Sequence, residues 1–169
     1  RSKELEAENR VPTSPEDAGE PYGDITVYGS DSLHGTSLLP EEIPNLIDEI
    51  PILAVAGALG RGDFIVRNAR ELRVKETDRI AALRTELKKL GYLIEEENDS
   101  VLMWNGERCE PEETPVIATY EDHRMAMAFA PAVITFPKLL IADPQVVSKS
   151  YPGYWEDLKL AGFQVINEG

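Results

Sequence analysis

Leu72-Arg73-Val74-Lys75-Glu76-Thr77-Asp78-Arg79-Ile80 places five charges of both signs within seven residues, and the apolar-periodic run Ile80-Ala81-Ala82-Leu83 through Leu87 and Leu90 comes at once after it. That pattern reads as a helix N-terminus. Glu76 and Asp78 fall in or just before the first turn, where the helix dipole favours carboxylates. Glu76 and Arg79 are three residues apart and share a face. The free N–H groups of the same end suit an anion. A solvated, well-capped surface helix would look similar. This one stands apart because three other helix starts in the chain carry comparable charges.

Moving outward, the chain has 169 residues, enough for one domain with its own core. The net charge of −14 argues against a nucleic-acid partner and against docking on an anionic membrane. The acidity is uneven, concentrated in the first twenty residues, Glu95 to Glu97 and Glu110 to Glu113, whereas basic residues gather near helix starts. A local positive site on an acidic body suits a small anionic ligand. Cys109 is the one cysteine, so an internal disulfide is excluded and a reducing, cytoplasmic setting is expected. His34 and His123 lie far apart without a Cys/His cluster, so no metal site is expected. No apolar run of about eighteen residues exists to span a membrane, and no signal peptide is visible. The chain starts at Arg1 in mid-pattern, which reads as a fragment of a longer protein.

In order, Lys3 to Asn9 reads as a strand tail and Val11 to Gly23 as a loop. Asp24–Tyr28 alternates as a strand, and Ser37–Leu39 forms a second after a turn at His34-Gly35. Pro44 to Leu59 is helical, starting anew or kinking at Pro51. Asp48 then lies near a helix N-terminus. Asp63–Arg67 is a strand, and the central helix runs from about Lys75 to Leu90, closed by Gly91. Tyr92–Glu96 and Val101–Trp104 form a hairpin around Asn98-Asp99. Gly106 to Pro115 is loop and Val116–Thr119 a strand. Asp122-His123-Arg124 opens a helix reaching about Ile134, where Met125, Met127 and Phe129 fill the core. Lys138–Ala142 is a strand, 143–150 a loop, Pro152–Leu160 a helix and Phe163–Ile166 a final strand. The fold class is α/β, with a βαβαββ unit that appears once and begins again.

Four helix starts thus carry Asp48; Lys75, Glu76 and Arg79; Asp122, His123 and Arg124; and Lys149. If the repeat gathers them, one pocket holds several cations beside carboxylates. Cations and helix N-termini bind phosphate or carboxylate, and a carboxylate among them moves protons if its surroundings tune it. No P-loop or dinucleotide fingerprint is present, so nucleotide binding has little support.

At these residues the chain resembles the 5-enolpyruvylshikimate-3-phosphate synthase family. The resemblance rests on 72–80, on Asp122-His123-Arg124-Met125-Ala126-Met127-Ala128-Phe129, on Ile43-Pro44-Asn45-Leu46-Ile47-Asp48-Glu49-Ile50-Pro51, and on Asp143-Pro144 with Lys149-Ser150-Tyr151-Pro152. It extends from about Gly19 to the end. The resemblance implies transfer of the enolpyruvyl group of phosphoenolpyruvate to 3-phosphoshikimate with release of phosphate. That is a step of the shikimate pathway to aromatic amino acids and the target of glyphosate. It implies no metal and no cofactor, and two inside-out α/β barrel domains, each of three βαβαββ units. Residues 1–169 would be part of the C-terminal domain, about two of its three units, with 1–23 a tail from the preceding unit and the N-terminal domain absent.

By resemblance, Asp48 is the base candidate at the attacking hydroxyl and Glu76 the proton-transfer group at the methylene carbon. Lys75 is a substrate-binding lysine. Arg79, Arg124 and Lys149 hold phosphoenolpyruvate, with Lys149 also helping phosphate leave. Asp122 lies beside that site, and His123 joins the substrate-binding set. Some members carry asparagine where this chain has Glu71. The fragment alone is expected to be inactive and open to self-association through exposed apolar surface, the parent to be monomeric. Two alternatives are a UDP-N-acetylglucosamine enolpyruvyl transferase, which shares fold and chemistry, and a non-catalytic anion-binding module.

Overall fold

The computed structural model describes residues 7–9, 23–29, 32–35, 37–98 and 101–167. The chain divides into two units, 1–32 and 33–169. In the first, β1 (Ala7–Asn9) pairs antiparallel with β2 (Gly23–Ile25). The strand expected over Asp24–Tyr28 therefore ends at Ile25, and 26–28 are exposed and belong to no strand. The loop expected between the two strands falls on 10–22, outside the described residues.

The second unit opens with a four-stranded sheet of β3 (Ser37–Leu38), β4 (Phe64–Val66), β5 (Glu95–Glu97) and β6 (Val101–Trp104), in the order β3-β4-β6-β5. The β3–β4 pair is parallel, and the other two pairs are antiparallel. His34 forms a parallel bridge with Arg61, so the expected turn there is instead a lead-in to the parallel pair. The parallel crossover is helical, as a parallel connection needs. It consists of α1 (Ile43–Leu46) and α2 (Ile50–Leu59). Pro44 and Pro51 each sit in a first turn, where a missing N–H costs nothing. The second proline thus divides the helix predicted over Pro44–Leu59 in two, and Asp48 lies in the turn between them.

Sequence Ile50-Pro-Ile-Leu-Ala-Val-Ala-Gly-Ala-Leu59 is apolar all round, and such a helix belongs inside. Ile50, Ala54, Val55 and Ala58 are buried, and α2 packs on α3 (Arg79–Lys89) and α4 (His123–Phe129). The predicted start of α3 at Lys75 is corrected: a 3-10 turn at Arg70–Val74 precedes it, and Lys75 to Thr77 form bends. The reason is Asp78, whose backbone leaves the helical region and whose carboxylate accepts the Ala81 N–H at 3.0 Å. α3 buries Ile80, Leu83 and Leu87, each worth about 1.5–3 kcal/mol of transfer free energy. Gly91, at φ +87°, ends it.

A second sheet pairs β7 (Val116–Ile117) in parallel with β8 (Leu140–Ile141). Between them, α4 continues into a 3-10 helix at Ala130–Ile134. Residues Pro144–Lys149, expected as loop, form another 3-10 helix entered through Asp143 at φ 47°. α5 (Tyr154–Leu160) comes next, and 163–167 are not a strand. The order from β3 to β6 is β-α-β-α-β-β, and β7 to α5 repeats its first four places.

A Cβ on Gly57 would come within 2.6 Å of the Phe64 ring. Gly57→Ala should therefore lower the denaturation midpoint, because overpacking costs about 1–3 kcal/mol of stability against a helix-propensity gain of about 1 kcal/mol. A stabilised variant in urea denaturation would contradict this close approach of α2 and β4.

Candidate active site

Three helix-start segments meet at one guanidinium. Asp48 comes from the α1–α2 turn, Glu76 from the bends before α3, and Asp122 from the N-cap of α4. Arg79, first residue of α3, donates through Nε to Asp122 Oδ2 at 2.7 Å and through Nη2 to Asp122 Oδ1 at 3.3 Å. It also donates through Nη1 to Asp48 Oδ1 at 2.9 Å and through Nη2 to Glu76 Oε2 at 2.9 Å. Arg79 is 1% exposed and Asp122 0%. The guanidinium fork matches this arrangement, and a point-charge ammonium would not.

The remaining cations lie nearer solvent. Lys75 Nζ is 3.4 Å from Asp48 Oδ1, Arg124 Nη2 is 3.8 Å from Asp48 Oδ2, and Lys149 Nζ is 3.6 Å from Glu76 Oε1. Arg124 also reaches Glu49 Oε1 at 3.2 Å. Four cations thus surround Asp48, Glu76 and Asp122. Their strengths differ. The buried Arg79–Asp122 pair is bidentate and shielded from solvent, whereas the Lys149 side chain is 59% exposed, and an exposed pair is worth about 0–1 kcal/mol. Arg79 is therefore the fixed hub, and Lys149 exchanges partners at little cost.

The electrostatics reflect this packing. The hydrogen bond from Arg79 holds the Asp48 carboxyl below its ordinary value against the upward push of burial, and Lys75 and Arg124 add to the lowering. For Glu76, its own backbone N–H lowers the pKa most. Burial opposes, and Arg79, Lys149 and His123 reinforce. Burial works to lower the Arg79 pKa, but the bonds to Asp122 and Asp48 outweigh it, so the guanidinium stays charged.

Asp48, Lys75, Glu76, Arg79, Asp122, Arg124 and Lys149, all singled out in the sequence, converge in this ion-pair cluster. His123 differs: it is 7% exposed and its buried Nδ1 has no hydrogen-bond partner. Two placements depart from expectation. Lys149 closes a 3-10 helix and lies five residues ahead of α5, not at its start. The N-termini of α3 and α4 are occupied by the capping side chains of Asp78 and Asp122, so side chains rather than bare N–H groups present positive charge. Sequence reasoning missed Glu86 and Tyr120. Glu86 is fully buried and accepts the Tyr120 hydroxyl at 2.7 Å and the Ala118 N–H at 3.0 Å. The signal was present: Glu86 interrupts the Leu83, Leu87, Leu90 stripe of α3. Among the described residues, no group of three or more His, Cys, Asp and Glu side chains is arranged to hold a metal.

A buried arginine hub gathering three carboxylates, with Lys75, Arg124 and Lys149 nearer solvent, is a charge arrangement that suits a small anion. The family described as EPSP synthase (3-phosphoshikimate 1-carboxyvinyltransferase) matches residues 18–158. The 3-phosphoshikimate 1-carboxyvinyltransferase of Akkermansia muciniphila is 62% identical over 149 residues, covering 88% of this chain and 34% of the relative. The Bacteroides fragilis protein of the same name is 54% identical over 127 residues, covering 75% of this chain and 31% of the relative. A solved EPSP synthase structure from Acinetobacter baumannii superposes with a TM-score of 0.74 at 29% identity, covering 94% of this chain and 36% of that one. The chain belongs to the EPSP synthase family, and it spans about a third of the length of the curated relatives it matches.

Removing the hub charge should cost the most. Arg79→Met strands Asp122 and should destabilise by about 3–5 kcal/mol. Asp122→Asn in that background should recover part of the loss, because it keeps the α4 cap while discharging the site. Equal stability of the single variant and the native protein in chemical denaturation would refute the hub.

A second expectation concerns pH. Asp48 and Glu76 ionise more readily folded than unfolded, so the folded state binds fewer protons in acid. Their stabilisation is fully present above their ordinary values of 3.8 and 4.5 and is lost as pH falls through the lower folded values. Asp48→Asn should flatten the acid limb of the thermal midpoint. An unchanged slope below about pH 5 would contradict the pairing.

Proposed function

We propose that the protein of which this chain is part transfers the enolpyruvyl group of phosphoenolpyruvate to the 5-hydroxyl of 3-phosphoshikimate and releases phosphate. The observation that carries the reading is that the family's signature segments bring Lys75, Arg79, Arg124 and Lys149 around Asp48, Glu76 and Asp122. A pure anion binder has no need of the two partly exposed carboxylates. A UDP-N-acetylglucosamine acceptor is disfavoured, because the curated relatives are described as 3-phosphoshikimate enzymes.

Each residue has a physical role in this reading. Lys149, exposed, and Arg124, half-buried, hold the phosphate and carboxylate of phosphoenolpyruvate, with Lys75 and the buried His123 completing the substrate-binding set. Arg79 is saturated by carboxylates and organises them, and it reaches an anion only where Asp48 or Glu76 gives way. An arriving anion offsets the charge of Lys149, one of the cations that lower the Glu76 pKa, and so raises it toward that of a proton donor. Glu76 protonates the methylene carbon, and the neighbouring carbon becomes electron-poor. The acceptor hydroxyl adds to that carbon as Asp48 takes its proton. The carbon–oxygen bond to phosphate then breaks with its electron pair, and the methyl group returns a proton to restore the double bond. Lys149 and Arg124 stabilise the departing phosphate. No step calls on a metal or cofactor.

The finer architecture belongs to the same proposal. Residues 1–169 are part of the C-terminal one of two inside-out α/β barrel domains, with about two of its three βαβαββ units and with 1–23 as a tail from the preceding unit. Support comes from the repeated element order and from a groove of about 810 Å³ beside β8, lined by Val116, Leu140, Trp155, Phe163 and Val165, where further strands of the parent would pack. A site shared between domains leaves this 169-residue polypeptide alone without turnover. The parent is a monomer in the cytoplasm, a setting that suits the single Cys109.

The test is phosphate release by the full-length protein from phosphoenolpyruvate with either acceptor. Release with 3-phosphoshikimate alone is expected, and release only with UDP-N-acetylglucosamine would replace this reading by the other. Glu76→Gln should cut turnover by about 10²–10⁴-fold with substrate affinity retained. Undiminished turnover would remove Glu76 from the proton path.

A further inference from the structure

We propose that Glu86 is a positioning residue for the anion site, acting through Tyr120 and the backbone of 118–121 to set Asp122 and Arg124. The proposal rests on the enolpyruvyl-transfer reading for what the site binds. Its geometry stands apart from that reading.

Glu86 lies two turns into α3, on the face that carries Leu83 and Leu87 into the core, and it is 0% exposed. A carboxylate there is costly unless its lone pairs find donors. Its Oε2 accepts the Ala118 N–H at 3.0 Å and a bond from Lys89 Nζ at 2.6 Å, and its Oε1 accepts the Tyr120 hydroxyl at 2.7 Å. Lys89 Nζ also donates to the Val116 carbonyl at 2.8 Å. Three points on 116–120 are thus tied to α3.

The backbone just beyond those points is strained. Tyr120 and Glu121 have φ of 54° and 57°, consecutive left-handed conformations in residues that have a Cβ. Such a pair persists only where its surroundings over-determine it. It turns the chain sharply, with the Asp122 N–H on the Thr119 carbonyl at 2.9 Å. Asp122 emerges from that turn. One of its oxygens holds Arg79 Nε, and the other accepts the Arg124 N–H at 2.8 Å. Helix α3 therefore grips the same segment twice, through Arg79 at its start and Glu86 two turns on. The two grips set the distance between the hub and the half-buried Arg124. Glu86 pairs with none of Lys75, Arg124 and Lys149, so its effect travels through the 118–122 turn.

A purely structural carboxylate would alter stability throughout, whereas a positioning one alters the site selectively. The experiment uses the full-length protein with Glu86→Ala, Glu86→Gln and Tyr120→Phe. Glutamine preserves the geometry: its carbonyl accepts from Ala118 and Lys89, and its amide donates to the Tyr120 oxygen. Glu86→Ala should raise KM for phosphoenolpyruvate about tenfold, with KM for 3-phosphoshikimate changed less than about threefold, and Glu86→Gln should restore most of it. Tyr120→Phe, which removes one hydroxyl and keeps the ring, should move the same KM in the same direction. Adding it to Glu86→Ala should bring little further loss. A KM change shared equally by both substrates, or none in Tyr120→Phe, would overturn the proposal.

Amide hydrogen exchange separates this outcome from failure of the functional reading. If the native protein turns over neither acceptor, the enolpyruvyl reading fails. Exchange at 118–124 should still quicken selectively in Glu86→Ala and Tyr120→Phe, and titration with inorganic phosphate should still weaken. Unchanged exchange at 118–124, or exchange quickened alike through α2 and α3, would defeat the positioning role in either case.

Discussion

The buried pair of Arg79 and Asp122 is the constraint on which the second unit depends. A guanidinium that is nearly inaccessible to water has lost its hydration, and that loss is offset only if its N–H groups meet acceptors in the right directions. Asp122 supplies two of those acceptors from the start of α4, and Asp48 and Glu76 supply the others. Because the requirement is directional, it sets the mutual placement of α2, α3 and α4 more sharply than apolar packing does. The apolar contacts among these helices are by contrast non-directional.

The same hub also ranks the cations around it. Once Arg79 has taken the strongest contacts of the three carboxylates, the outer cations are left with long or exposed pairings. They are the cations least committed to the fold. The carboxylates are held in place by the same contacts. Burial thus separates one cation fixed in the fold from three held more loosely around it.

Much of this was legible in the chain. The α3 stripe, the hairpin of β5 and β6, the apolar helix broken at Pro51, and the return of a β-α-β-α order all arise from local periodicity and from proline and glycine chemistry. The misses were local too. The charged residues just ahead of Arg79 resembled the first turn of a helix, but Asp78 prefers to cap one rather than continue it. The segment 143–150 has the composition of a loop, yet Pro144 after the left-handed Asp143 starts a 3-10 helix. Phe163–Ile166 alternates like a strand and is not one, because pairing requires a neighbour that periodicity cannot see.

Sequence alone determined which residues carry charge at helix starts, the class of fold, and the family to which the signature segments belong. Only the tertiary structure decided that Arg79 is the buried hub and Lys149 the exposed edge, since burial is a property of what surrounds a side chain. It alone revealed Glu86 as a partner of Tyr120, 34 residues away. The physical reason is range. Periodicity and capping act over one or two helical turns, whereas Asp48 and Asp122 meet Arg79 from positions 31 and 43 residues distant, joined only when the core forms.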